Sequence, residues 1–389
     1  LRVLDLSSTS IECAPPGLEM LLNLKHLDLS YTTVYGFDIQ ILGTYQFLEN
    51  LLTIGLWQSL MLGLDFVDVV ARCTNLTNFE ANFSTLQDFN YYVLSDHWNT
   101  LESFKFCIGY PQSSKLPGNN SVGFYGINIV DREAPSLLPG ILELVIHECS
   151  GITHLPMFIM NASADLKRCK IKYCDELEWI ITPEWGTLPN LELLEIEGLS
   201  RLQNICKGIT PAGTLSTLKV LNVVACNNLK TLLPLQLVQQ LKNLEELELE
   251  SCPMLEEIFT EAENEELIQE NDEVVLPSLT KLRLVLAPRL RSICRGLMIC
   301  DSLTTIEVVD CPELDILPFF LEIRQQLVDS LKQIRGSRSW WRTLELNHPT
   351  ATSLLAPIVR HERDEEIQVD FIDIHSHGGS SGNSSFGPR

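Results

Sequence analysis

Positive charge is what this sequence has least of for its size: 28 Lys and Arg stand against 51 Asp and Glu, a formal net charge of -23. So acidic a chain repels phosphate backbones and anionic headgroups, which argues against nucleic acid or an anionic bilayer as its main partner and leaves room only for a local basic patch. Long apolar runs are missing as well. No stretch of 18 uncharged apolar residues occurs, so no membrane-spanning helix is expected. The first residues, LRVLDLSSTS, lack both the pattern of a secretory leader and an initiator methionine, and the chain reads as a fragment. Among 12 cysteines there is no CxxC pair and no short stapled framework. A GxxxxGK[ST] loop, whose backbone amides and lysine hold nucleotide phosphates, is also absent, as are coiled-coil heptads.

What is present is a period. From Leu218 the chain reads L-x-x-L-x-V-x-x-C-x-x-L-x-x-L through Leu221, Val223, Cys226, Leu229 and Leu232, and the same frame fits the segments beginning at Leu166, Leu244 and Leu303. Weaker copies begin at Leu1, Leu24, Leu51, Leu76, Leu101, Ile141, Leu191 and Leu279, twelve starts in all, most of them 23 to 27 residues apart. That spacing and register are those of leucine-rich repeats. The expected fold is therefore an α/β solenoid, a leucine-rich-repeat horseshoe with a parallel β-sheet on its concave face and irregular or short helical segments on its convex face. Positions 4 and 6 of each copy alternate on a short strand and face one core, which only stacking can bury.

Position 9 marks the bend where the chain leaves the strand. Cys149, Cys174, Cys226, Cys252 and Cys311 fall there and form a structural ladder, because a small thiol can sit inside the bend and donate weakly to backbone carbonyls. Cys206 and Cys294 both lie fifteen residues after their starts, and Cys169 takes a core leucine's place; Cys13, Cys73, Cys107 and Cys300 have no register. Reduced, packed thiols are the expected state.

The repeats are expected over 1–317, with insertions near 107–137 and 256–275. The first is rich in Gly, Pro, Ser and Asn and reads as an excursion; the second carries nine carboxylates between Glu256 and Glu273 and reads as a solvated loop. Residues 318–360 are expected to cap the open end: Phe320, Ile323, Leu327, Leu331 and Ile334 have helical spacing ending at Gly336, and Trp340, Trp341, Leu344 and Leu346 follow. The segment 361–389, acidic and then Gly/Ser-rich, is expected to be disordered.

Positions 2, 3, 5, 7 and 8 should point to the concave face. There the Leu166 copy presents Lys167, Arg168, Lys170 and Lys172, the next presents Glu192, Glu195 and Glu197, and two copies on Glu245, Glu246, Glu248 and Glu250 form an acidic stripe before Lys281 and Arg283. These thirteen residues are the candidate protein-binding surface; lateral pairing between strands is the structural alternative. Tyr31, Trp57 and Phe83 also occupy outward positions, as contact anchors or packing residues, and Trp179 and Trp185 belong to the core or convex side.

Catalytic motifs do not assemble. GGSSG at Gly378–Gly382 matches GxSxG only inside the Gly/Ser tail, His375 and His377 are too few for a fixed metal site, and Cys149 between His147 and His154 is a bend residue. No catalytic, cofactor-binding or metal-binding residue is expected in this chain.

The five position-9 cysteines, the acidic insertion followed by LPSLTKLRL, the segments ELEWI and LPNLELLEIEGL, and WWRTLEL before a short tail together resemble the leucine-rich-repeat region of plant coiled-coil, nucleotide-binding disease-resistance receptors, over roughly residues 1 to 360. That resemblance implies a cytoplasmic domain in plant defence. It would recognise a pathogen effector or an effector-modified host protein and restrain the nucleotide-binding domain of the same receptor, with ADP or ATP held only by that other domain. The alternative is the substrate-binding repeats of another intracellular adaptor, such as an F-box ubiquitin-ligase receptor. Five N-x-[ST] triplets, at Asn75, Asn82, Asn119, Asn161 and Asn383, permit an extracellular reading, against which stand the cysteine-bearing bends.

Overall fold

The computed structural model describes residues 1–13, 15–32, 46–57, 61–62, 69–70, 72–110, 118–129, 140–155, 165–182, 188–208, 210–260 and 273–361, with backbone only at 46, 47, 61, 62 and 96. Each copy of the repeat makes one coil, and each coil contributes one strand to a continuous parallel sheet. In chain order these are β1 (Val3–Asp5), β2 (His26–Asp28), β3 (Thr53–Gly55), β4 (Asn78–Phe83), β5 (Ser103–Gly109), β6 (Ser121–Tyr125), β7 (Glu143–His147), β8 (Arg168–Lys172), β9 (Leu193–Glu197), β10 (Val220–Val224), β11 (Glu246–Glu250), β12 (Lys281–Val285), β13 (Thr305–Val309), β14 (Gln333–Gly336) and β15 (Val359–His361). Sheet order equals chain order, and the short strand Met61–Leu62 pairs beside β4 to make sixteen. That is a leucine-rich-repeat solenoid.

Strand alternation explains the core. In β8 to β11 the second and fourth residues, repeat positions 4 and 6, are buried and the residues between them half-exposed. Leu221, Val223, Leu247 and Leu249 are fully enclosed, as are the later leucines Leu229 and Leu255 on the return side. One apolar cluster runs from Leu18 to Leu355, as a solenoid whose coils bury one another's faces requires. Around β4 and β5 aromatic side chains fill the core: Phe79, Phe83 and Phe106 meet Phe89 and Tyr92 of α1 (Leu86–Val93) mostly edge to face, and that helix is started by a Thr85/Asp88 capping box.

Three expectations need correction. The insertion near 107–137 is in part a coil: β6 lies between β5 and β7 in register, with Asn119 at position 1, Val122 and Phe124 at the core positions and Gly126 at the bend. The helix expected from Phe320 to Gly336 is instead a 3-10 turn (Pro318–Phe320), a six-residue helix α2 (Gln325–Ser330) and β14, because Arg324 is extended at ψ 145° and breaks the run. Gly336 is no helix terminus. It occupies core position 6, where a Cβ would lie 2.4 Å from the ring of Trp340. The capping segment thus adds two strands to the sheet before and after α3 (Arg338–Asn347) and α4 (Pro349–Leu355). Trp340, Trp341 and Leu344 are buried, whereas Leu346 is 83% exposed and lies outside the cap. Third, the ends of the 256–275 insertion are structured: Glu257–Thr260 pairs with Thr231–Pro234, and Val274–Val275 with Met298–Ile299. The middle of that insertion, the tail from 362, GGSSG, His375, His377 and Trp185 lie outside the described residues.

Candidate functional site

The bend that shapes the sheet's rim has a common geometry. At position 8 the backbone is left-handed in Glu148, Tyr173, Ala225, Ser251, Leu286 and Asp310, with φ from 53° to 55°. This turns the position-8 amide onto the position-7 carbonyl of the next strand, as in Tyr173 to Glu197 at 2.8 Å and Ala225 to Glu250 at 2.9 Å. Each ladder thiol then donates back to its own coil's position-7 carbonyl: Cys149 to His147 at 3.5 Å, Cys174 to Lys172 at 3.4 Å, Cys226 to Val224 at 3.6 Å, Cys252 to Glu250 at 3.5 Å and Cys311 to Val309 at 3.4 Å. All twelve cysteines are free, and only Cys13 is exposed. Burial pushes the Cys169 and Cys226 thiols up to about 12, far from the reactive thiolate.

On the concave face the predicted charged residues come together, and they pair with one another. Lys167 reaches Glu192 at 3.5 Å; Lys172 reaches Glu195 at 2.5 Å and Glu197 at 2.8 Å. Lys281 pairs with Glu248 and, at 3.7 Å, with Glu246, and Arg283 bridges Glu250 and Glu307. Arg168 and Lys170 turn the other way, to Glu143 at 3.3 and 3.1 Å. Glu245 is exposed on the same stripe. Sequence reasoning missed Glu143, Lys219 and Glu307, the partners on flanking coils; aligning the coils by position would have placed each opposite a charge of the other sign.

Electrostatics follow this geometry. Burial alone would raise the carboxyl of Glu143, yet the Gly118 amide at 2.8 Å and the cations Lys170 and Arg168 outweigh it and hold the group below its ordinary range. The Lys219 hydrogen bond does the same for Glu192, and Glu192 in turn raises Lys219. Most of these pairs are a quarter to a half exposed, so each contributes at most about 1 kcal/mol and chiefly fixes strand register.

The outward aromatics pack. Trp57 is fully buried in a small second cluster with Cys107 and Tyr125, flanked by Tyr31 and Val145, and Phe83 belongs to the main core. Trp179 is half-exposed with Lys207 Nζ 5.1 Å from its ring center. His147 lies between Tyr125 and Tyr173, at 6.0 and 5.4 Å. Among the described residues no group of three His, Cys, Asp or Glu is placed to hold a metal ion, and no helix is long and apolar enough to cross a membrane.

Residues 190–335 match the family model for plant disease resistance protein RPS2-like leucine-rich repeats. The chain is 24% identical over 95% of its length to disease resistance protein At4g27190 of Arabidopsis thaliana, and 28% identical over 56% to the probable disease resistance protein At4g27220 of the same plant. Residues 190–335 are thus similar to leucine-rich repeats of the plant disease-resistance type. The chain spans 38% and 25% of the length of those two relatives. Among solved structures, an internalin of Listeria monocytogenes is similar at 15% identity, covering 67% of this chain and 68% of that one with a TM-score of 0.39. A leucine-rich-repeat protein of Leptospira interrogans covers 93% and 96% at 15% identity, with a TM-score of 0.36.

Proposed function

We propose that the resistance-type repeats are the recognition and restraining segment of a plant intracellular immune receptor. Their concave face binds a pathogen effector, or a host protein changed by one, and at rest they hold the receptor's nucleotide-binding segment inactive. The observation that carries this reading is the match of residues 190–335 to resistance-protein repeats, over coils whose charged concave face is built on rigid strands. A pre-formed sheet suits recognition because its side chains lose little freedom on binding. ADP or ATP belongs, in this reading, to another segment of the parent, and this chain contributes no phosphate-binding loop to it.

The test is transient expression of the parent receptor in leaf tissue, with and without this segment. Loss of the segment should give cell death without a pathogen signal and abolish the response to the pathogen. A parent that stays quiet and still responds without it overturns the reading.

A further inference from the structure

The charges on the sheet follow a rule that fails at one end. Position 5 forms a row across the concave face, and most cations along it have a carboxylate opposite: Lys105 reaches Glu80 at 2.7 Å, and Arg283 lies between Glu248 and Glu307. In the last two strands Arg335 stands between Glu307, a carboxylate already 3.7 Å from Arg283, and Arg360, so the row ends on two arginines facing each other. Like charges facing across adjacent strands are destabilising unless something relieves them. At the first two strands the facing pair Asp5 and Asp28 is relieved locally, since each carboxylate accepts a hydrogen bond from the amide two residues on, at 2.9 Å. Arg335 shares its one facing carboxylate, Glu307, with Arg283, and Arg360 faces none among the described residues. Lys332 at position 2 and Arg338 at position 8 flank them; all four are exposed, and none forms an ion pair with another of the described residues. From 331 to 361 the chain carries five Lys and Arg against a single Glu, in a protein of net charge -23.

We propose that β14 and β15 form a docking site for a carboxylate-rich segment of a partner protein. Arg335 and Arg360, fixed side by side on paired strands, present two guanidinium forks to one or two carboxylates, while Lys332 and Arg338 extend the site along the strand direction. The strongly acidic remainder of the chain disfavors a nucleic acid, whose many phosphates would extend beyond four cations. The inference rests on the protein-recognition reading and names the partner chemistry for one end of the face. It differs from the Lys167 to Lys172 patch, whose cations are already neutralised from within.

The experiment is fluorescence anisotropy of a labelled ten-residue poly-glutamate peptide with the full chain at low ionic strength. Saturable binding is expected, falling as salt rises. The double variant Arg335→Glu/Arg360→Glu should weaken it at least tenfold with an unchanged melting curve. Arg201→Glu/Arg289→Glu, the same charge change at exposed sites elsewhere, should leave it within twofold. No binding by the unaltered chain, or equal loss in both double variants, overturns the site. So does a tenfold gain in Asp364→Asn/Glu365→Gln/Glu366→Gln, which would make the chain's own carboxylates the occupant. Failure here with an intact leaf response defeats this site and leaves the recognition reading standing; failure of the leaf response with peptide binding intact does the reverse.

Discussion

At position 8 the chain turns left-handed whatever side chain it carries, and this asks different things of different residues. For an L-residue that conformation costs about 1–2 kcal/mol, and Gly126 and Gly198 adopt it without that cost. Ala225→Gly removes the strain while adding freedom to the unfolded chain, so it should match or exceed the parent's stability by up to about 1 kcal/mol. Gly198→Ala should do the opposite. At φ 67° its Cβ would lie 2.4 Å from the Tyr173 ring, and a loss of about 1–3 kcal/mol is expected. Urea midpoints check both; equal shifts in the same direction would contradict the account. The neighbouring cysteines were legible in the sequence because one residue type recurs at position 9. The left-handed position was not, because Glu, Tyr, Ala, Ser, Leu and Asp share no side-chain property, and only the geometry of the turn unites them.

Single strands could be assigned from alternation alone, whereas their ion pairs depend on how neighbouring coils align. The face of Lys167, Arg168, Lys170 and Lys172 was readable from the repeat frame. Their division between Glu143 on one side and the β9 glutamates on the other was not, since Glu143 belongs to the recognised Ile141 copy and only the alignment of neighbouring coils sets it opposite Arg168. Glu143 is the hub of this arrangement, with its side chain 4% exposed between two cations and the Gly118 amide. Its folded-state pKa lies below the ordinary 4.5, so its contribution is complete above that value and is lost as pH falls through the folded pKa. Glu143→Gln should therefore cost about 1–3 kcal/mol at neutral pH. The gap between the variant and the parent should close as pH falls below 4.5 and through the lowered folded pKa. Melting temperatures across that window decide it: a constant gap would mean the carboxylate's charge contributes nothing.

Across the whole molecule, stability passes from coil to coil through nearest-neighbour interfaces, so an open end is where unfolding begins. The requirement for a C-terminal cover followed from the exposed leucines of the final repeats, and the buried Trp340, Trp341 and Leu344 meet it. Its form did not follow, because Gly336 has the same place in a helix-ending pattern as in a strand that must leave room for a ring. Trp340 ties the two together: its indole N–H donates to the Leu314 carbonyl at 2.9 Å, and its ring fills the space above Gly336. Trp340→Ala removes both contacts and should cost about 3–5 kcal/mol. In a one-dimensional stack that loss cannot spread evenly. Amide hydrogen exchange should show β13, β14 and β15 losing protection by orders of magnitude while β8 to β11 keep theirs. A uniform loss from β1 to β15 would instead mean that the solenoid unfolds as one unit and that Trp340 is an ordinary core residue; a local loss makes it the closure on which the basic terminal strands depend.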